Sequence, residues 1–343
     1  MKNMTKSTSK PVVVIPNLNG GAELEKAVLS LKAQTLQPHI IVVDNASTDD
    51  SLAFLANHPE VELIRHTKNK GYAGGVNPGF QRAIELNAAY AAPLNDDAVA
   101  DPRWLELLVR HLDTHPEVGA VASKVMKADK IHLDSTGDYY TVWGLPYPRG
   151  RDEVDEGQYD QLTDIFAASG ASSLFRVAAL KEVGLFDEDF FAYYEDVDLS
   201  FRLQLAGWKI AYVPESVVYH AIGMTSGRIK GFTTYQTMKN LPLLLRKNVP
   251  DRYQWRITWR LNLALILFFW RAVSRGHLWS AMKGDWASSR LSYMAGEKRR
   301  QIQSSRKVSD DYIWGMIVHD LPPNAHALRK LRSFWWKVRG KKT

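Results

Sequence analysis

The chain has 343 residues, 45% of them hydrophobic and 24% charged, and no cysteine. That is a globular composition with room for one large or two ordinary domains. It excludes a disordered or collagen-like chain, a disulfide scaffold, a Cys-ligated zinc site and thiol catalysis. The net charge of +7 averages two unlike parts: residues 1–220 hold 20 Lys/Arg against 31 Asp/Glu, while residues 221–343 hold 24 against 6 and carry eight of the eleven tryptophans.

Residues 1–10 are polar and predict a disordered start. Val12–Ile15 then predicts a buried strand, and Leu24, Ala27, Val28 and Leu31 recur at helical spacing over 23–34. Strands follow at Ile40–Val43, Val61–Ile64 and Ala91–Leu94, separated by helical patterns from Ser51 and from Phe80. Strands spaced by helices predict βαβ units and a mostly parallel sheet, with ligands gathering after the strand ends at 16–21, 44–50 and 95–97. Residues 134–164 are turn-rich and read as an excursion over the sheet edge. Beyond them come a helix at Val177–Val183, a segment of acids interleaved with five aromatics at 186–199, and a strand at Ile210–Val213.

Asp44 stands one position after a strand, where a carboxylate can accept hydrogen bonds from a ribose or a base; Asp49 and Asp50 read as helix caps. The glycine-rich run Asn69–Gly79 is neither GxGxxG nor a Walker loop. Asn95-Asp96-Asp97 places adjacent carboxylates at a strand end. Either a divalent cation lies between them or the segment is a solvated turn. Glu195, Asp196 and Asp198 open a helix, which favours negative charge; beside aromatic walls their pKa values rise towards those of a general base. His220 ends a strand, and its role depends on meeting Asp97.

Taken in order, VVVIPNLNGG, IIVVDNASTDDS, NKGYAGGVNPGF, APLNDDA, ASGASSLFRVAALKEVGLFDEDFFAYYEDVDLSFRLQLAGWKIAYVPESVVYH and TMKNLPLLLRK resemble the glycosyltransferase family 2 enzymes of GT-A fold. Within these, the chain resembles the rhamnosyltransferase-like branch that makes bacterial surface polysaccharides. The likeness covers roughly residues 10–250. It implies a Rossmann-like α/β catalytic domain over 11–225, with a nucleotide-sugar half to about 100 and an acceptor half after it. A basic helical region follows over 226–343.

The resemblance also implies roles. Pro16, Asn19, Asp44, Asn45, Gly74, Asn95 and Asp96 would bind a nucleoside-diphosphate sugar. Asp97 and His220 would hold Mg2+ or Mn2+, Asp196 would be the base, and Glu195 and Trp208 would meet the acceptor. The implied reaction is inverting transfer, with dTDP-rhamnose the expected donor and UDP-sugars next. The expected acceptor is a glycan or a polyprenyl-diphosphate-linked glycan. A nucleotidyltransferase would need a basic glycine-rich turn after the first strand, which Pro16–Gly21 lacks. A non-catalytic membrane- or nucleic-acid-binding protein on the same scaffold is the other alternative, and the intact acids and histidine stand against it.

After residue 250, Arg252, Arg256 and Arg260 recur every fourth residue, with Trp255, Trp259 and Ile266 nearer the opposite side. Basic residues beside tryptophan predict attachment to an anionic membrane surface rather than to nucleic acid, with packing of the helices on their own chain as the third reading. Lys330, Arg332, Trp335 and Trp336 continue the theme. The longest apolar run, Leu263–Trp270, is eight residues, short of the about 20 that span a bilayer. The expected location is therefore cytoplasmic, peripheral on the inner face of the plasma membrane.

Overall fold

A computed structural model describes residues 10–221, 229–323, 325, 328 and 329. The expectations for the first nine residues and for the last basic-aromatic stretch, 330–343, lie outside the described residues. Strands β1 (Val12–Asn17), β2 (His39–Asp44), β3 (Glu62–Arg65) and β4 (Tyr90–Pro93) pair in parallel in the order β3-β2-β1-β4. Val13 and Ile15 of β1 enter one apolar layer and Val12 and Val14 the other. A strand covered on both faces is uniformly apolar, which is why these runs stood out in the sequence.

Helix α1 (Gly21–Lys32) covers one face, and α2 (Gly71–Glu85) covers the other. The helix expected from Ser51 is a short 3-10 turn, Ala53–Asn57. Helix α2 begins nine residues before the expected Phe80, so the glycine run is largely helix. A Cβ on Gly79 would lie 2.4 Å from the Val14 methyls, and one on Gly75 would lie 2.5 Å from the Asn45 carboxamide. These glycines let the helix approach β1 and β2.

The sheet then changes direction. It continues through β5 (Ala98–Ala100), β6 (Val118–Lys127), β7 (Leu133–Ser135), β10 (Ser173–Arg176) and β11 (Lys209–His220). Strand β10 runs antiparallel between β4 and β6, β11 is parallel to β6, and β5 closes the edge antiparallel to β11. The sheet is thus mixed. Strand β6 and helix α3 (Trp104–Thr114) escaped the sequence reading, although β6 is almost wholly buried and α3 buries its Trp104–Leu108–Leu112 face. A small hairpin of β8 (Asp138–Tyr140) and β9 (Pro146–Pro148) occupies the turn-rich excursion. Helices α4 (Val177–Val183) and α5 (Glu195–Leu205) cover the α2 face.

The basic region forms α6 (Phe232–Asn248), α7 (Asp251–Ser274), α8 (Leu278–Ser304) and α9 (Asp310–Met316). Tyr253, Ile257, Leu261 and Ala264 of α7 are buried with Tyr140, Phe166, Phe190 and Phe201 in a third apolar layer. The helical region therefore packs on the rest of the chain. The eight-residue apolar run lies within a 24-residue helix that is long and apolar enough to cross a membrane by length and composition, although one side of it is buried in this layer. The faces of α7 are also not as expected. Arg252 and Arg256 share the exposed side with Trp255 and Trp259, and the buried side is the Tyr253–Ile257–Leu261 row.

The closeness of α2 to β1 gives a direct test. Gly79→Ala forces a methyl into Val14, and overpacking of this kind costs about 1–3 kcal/mol. Urea unfolding should show that loss, with the secondary structure of the folded state unchanged.

Candidate active site

The carboxyl ends of β1, β2 and β4 open on a cleft of about 610 Å³. Its wall beside β1 and β2 includes Pro16, Asn17, Asn45, Gly71 and Tyr72. The Asn45 carboxamide donates to the Gly71 carbonyl at 3.0 Å, fixing the start of α2. Gly71 has φ +73°, and a Cβ there would lie 2.2 Å from the Phe191 carbonyl oxygen, so only glycine fits.

Three residues assigned to the donor stand behind this wall. The Asn19 side chain accepts from the Thr48 and Asp49 amides, and Asp44 accepts from the Ser47 amide at 3.1 Å. Both brace loops, as Asn and Asp commonly do beside turns. Gly74 lies inside α2 against Lys70, and its carbonyl is 3.1 Å from His66 Nε2. None of the three is among the cleft's lining residues.

The pairing of β5 with β11 sets His220 opposite Ala98 and brings its Nε2 to 3.0 Å from Asp97. Nδ1 of His220 lies 2.9 Å from Asp134, which also pairs with Arg151 at 2.7 Å. Burial disfavours a charged imidazole, but the hydrogen bonds to Asp134 and Asp97 outweigh it and raise its pKa to about 9. Burial, with Asp97 adjacent, pushes Asp96 up to about 7. The Asn95 carboxamide approaches His220 Nε2 at 3.0 Å, and its buried Oδ1 has no protein partner.

Among the described residues there is no group of three or more His, Cys, Asp or Glu side chains arranged to hold a metal. The Asp97–His220 pair nevertheless fits a divalent ion. Its 3.0 Å separation is the edge that two neighbouring octahedral ligands span at bond lengths of roughly 2.1 Å. Asp134 orients the imidazole from behind, as carboxylates commonly do for metal-binding histidines. An ion that also binds phosphate oxygens needs only one or two protein ligands.

Across the cleft, Asp196 Oδ2 accepts from the Gly170 amide at 2.8 Å and Oδ1 from the Val197 amide at 2.8 Å. Burial raises the Asp196 pKa, and these amides pull against it. Asp138 was missed by the sequence reading. Burial and the charge of Asp196 push it up to about 7. Each of these two buried acids opposes ionisation of the other, and the Gly170 and Val197 amides favour the charged form of Asp196. Glu195 is pushed well up by burial and by Asp196, and its buried Oε2 has no protein partner.

The loop before these acids is strained. Phe191, Tyr193 and Tyr194 all have positive φ (63°, 68° and 72°). Phe191 centres a classic γ-turn, with φ 63°, ψ −63° and the Ala192 amide 2.7 Å from the Phe190 carbonyl. Asn240 of α6 holds this backbone by donating to the carbonyls of Phe190, Ala192 and Tyr193 at 2.8–3.0 Å. Lys239 donates to Asp189 and Phe190.

Trp208 is displaced from its expected place. It precedes β11, at the opposite end of a 12-residue strand from His220, where it covers Gly119 and donates to Glu182. That length is on the order of 30 Å, so it cannot reach the cleft. Asp134, Asp138 and Arg151 come from the excursion after β6, where the only sequence signal was a cluster of polar residues around Gly137.

A family model described as "Glycosyl transferase family 2" matches residues 12–184. The chain is 31% identical over 245 residues, 64% of its length and 78% of the relative's, to N-acetylglucosaminyl-diphospho-decaprenol L-rhamnosyltransferase of Mycobacterium tuberculosis. It is 27% identical over 236 residues to the dTDP-rhamnosyl transferase RfbF of Shigella flexneri, covering 66% of this chain and 76% of that one. Among solved structures, GalNAc-T7 with UDP, GalNAc and Mn2+ has a TM-score of 0.57 at 18% identity, over 73% of this chain and 50% of that one. Mannosyltransferase PcManGT of Pyrobaculum calidifontis, in complex with GDP-Man and Mn2+, has 0.52 at 17%, over 90% and 85%. Both share the GT-A fold.

Replacing Asn240 with leucine removes three hydrogen bonds and leaves buried carbonyls unmet, a loss of about 1–3 kcal/mol. Hydrogen–deuterium exchange should speed up across residues 190–196 in this variant and stay unchanged in β1 and α2.

Proposed function

The chain belongs to glycosyl transferase family 2 and is a glycosyltransferase, and on that premise we propose that it performs inverting transfer from a nucleoside-diphosphate sugar to a lipid-linked or polysaccharide acceptor. The similarity to two rhamnosyl transferases favours L-rhamnose from dTDP-rhamnose as the donor, with UDP-sugars next. The observation that carries the reading is the pairing of Asp97 with His220 on one side of a single cleft with Asp196 on the other.

In this reading the nucleotide lies along Pro16, Asn17 and Asn45, and its diphosphate reaches Asp97 and His220. A Mg2+ or Mn2+ ion held there supplies charge neutralisation for the departing diphosphate. Asp196 takes the proton from the acceptor hydroxyl as that oxygen attacks the anomeric carbon. The Gly170 and Val197 amides keep its carboxylate ionised and aimed. Glu195 Oε2, buried without a protein partner, accepts from an acceptor hydroxyl. Direct displacement by the acceptor oxygen inverts the anomeric centre.

We place the protein peripherally on an anionic membrane surface at the cytoplasmic face. Trp255 and Trp270 of α7 and Trp279, Trp286 and Tyr293 of α8 are each 64–89% exposed. Lys283 and Arg290 are exposed along the same stripe of α8. Exposed aromatics beside cations suit a lipid headgroup boundary.

Asp196→Asn should abolish transfer while leaving donor binding, read as nucleotide-sugar-induced thermal stabilisation with Mn2+, nearly intact. Because the ionised form is required and burial raises its pKa, kcat/KM should fall with decreasing pH at values above the ordinary carboxylate range. An acid limb near the model-peptide value of about 3.9 would contradict that role. Glutamine at Trp255, Trp270, Trp279 and Trp286 together should reduce cosedimentation with phosphatidylglycerol vesicles about tenfold, with the thermal midpoint unchanged.

A further inference from the structure

A second cavity, about 420 Å³, lies between α6 and α7 and shares Pro146, Tyr194, Thr233 and Thr237 with the catalytic cleft. The two helices form an antiparallel hairpin. Asn248 ends one and Asp251 begins the other, while their far ends meet where Thr234 Oγ1 lies 3.4 Å from His277 Nδ1.

Each helix presents a polarity gradient to this groove. On α6 the lining residues Thr233, Thr237 and Leu241 follow every fourth position, one helical face read from polar to apolar. On α7 and the residue that caps it the corresponding row is Arg275, Arg271 and Leu267. Since the helices run in opposite directions, the two gradients point the same way. The polar end is the one that adjoins the cleft, because Thr233 and Thr237 line both spaces and Leu241 and Leu267 line only the groove.

Among the described residues neither Arg271 nor Arg275 lies in an ion pair, whereas Lys239, Lys247 and Lys298 on neighbouring turns are all engaged. The amino end of α6 has no side-chain cap, so its positive pole faces the same end. Two free guanidiniums and a helix amino end at one mouth, grading into leucines, are complementary to an amphiphile with an anionic head and an apolar chain.

We propose that this groove is the acceptor's lipid subsite: the first part of the acceptor's polyprenyl chain lies between α6 and α7, and Arg271 and Arg275 hold its phosphate groups. The glycan then projects past Thr233 and Tyr194 towards Asp196. This rests on the reading of the acceptor as lipid-linked.

The test uses the full chain in EDTA, so that no metal site can capture phosphate, with farnesyl diphosphate, farnesol, inorganic diphosphate and a short-chain phosphatidylglycerol as separate probes in calorimetric titrations. Farnesyl diphosphate should bind about tenfold more tightly than any other probe. The double variant Arg271→Gln/Arg275→Gln should lose that advantage and keep its farnesol affinity, and Leu267→Gln should weaken both prenyl probes. Equal affinity for the four probes, tighter binding of phosphatidylglycerol, or unchanged farnesyl diphosphate affinity in the double variant overturns the proposal. Donor-induced thermal stabilisation with Mn2+, measured on the same samples, separates the two readings. If it persists while prenyl binding is absent, only the groove assignment fails; if no nucleoside-diphosphate sugar stabilises the wild type, the donor reading itself fails.

Discussion

The ammonium of Lys247 sits almost wholly buried between two carboxylates, Asp187 and Asp198, the latter at 2.8 Å. Two carboxylates could not share that space unpaired. Burial opposes ionisation of Asp187, but the charges of Lys247 and Lys298 hold it well below the usual carboxylate range. Asp198 is further bonded by Arg202 and by Asn248 at 2.8 Å. Removing one member of such a network leaves an uncompensated buried charge, worth about 3–5 kcal/mol. The network joins α6, the loop before α5 and α5 itself, so the position of Asp196 is set from outside the sheet.

The strained loop depends on this attachment. Left-handed backbone at three aromatic residues costs of order 1–3 kcal/mol each, and it persists only where neighbours impose it. The aromatic rings anchor one side: Phe190 is fully buried, and Phe191 and Tyr193 pack against Phe232 of α6. Asn240 and Lys239 anchor the other through the carbonyls. The alternation of acids and aromatics in 186–199 thus has two causes. Asp187 and Asp198 answer the cations of α6 and α8, while Glu195 and Asp196 face the cleft.

The residues visible in the sequence were those whose role is local. Strands buried on both faces announce themselves as apolar runs, and Asp97, Asp196 and His220 stood in recognisable strings. What stayed hidden depended on distant pairing. Strand β6 reads no differently from other apolar-rich segments, yet it is the partner of both β10 and β11. Asp134 and Asp138 matter only because β7 returns alongside β6 and sets them behind His220 and near Asp196. Asn19 and Asp44, which lie in motif strings, accept hydrogen bonds within turns, and Gly74 lies inside α2 against Lys70. Trp208 stands in the same string as His220, but the whole length of β11 separates the two, so the strand reaches the cleft only at its His220 end.

The opposite charges of the two parts of the chain are in part an internal match. Lys247 and Lys298 of the basic helices meet Asp187 and Asp189 of the acidic front, and Lys307 meets Glu182. Arg299 is spent on Asp251 and on the carbonyls of Arg246 and Val249. Charge that is neutralised within the fold is not available to a membrane, so the full excess of positive residues overstates the attraction to lipid. Among the described residues, Trp255, Trp270, Trp279 and Trp286 lie outside the apolar layers that the inner rows of α7 and α8 fill, and each is more than half exposed. For a helix pair whose buried side is complete, the exposed aromatic side is the surface left to explain, and the proposed attachment to an anionic lipid surface rests on it.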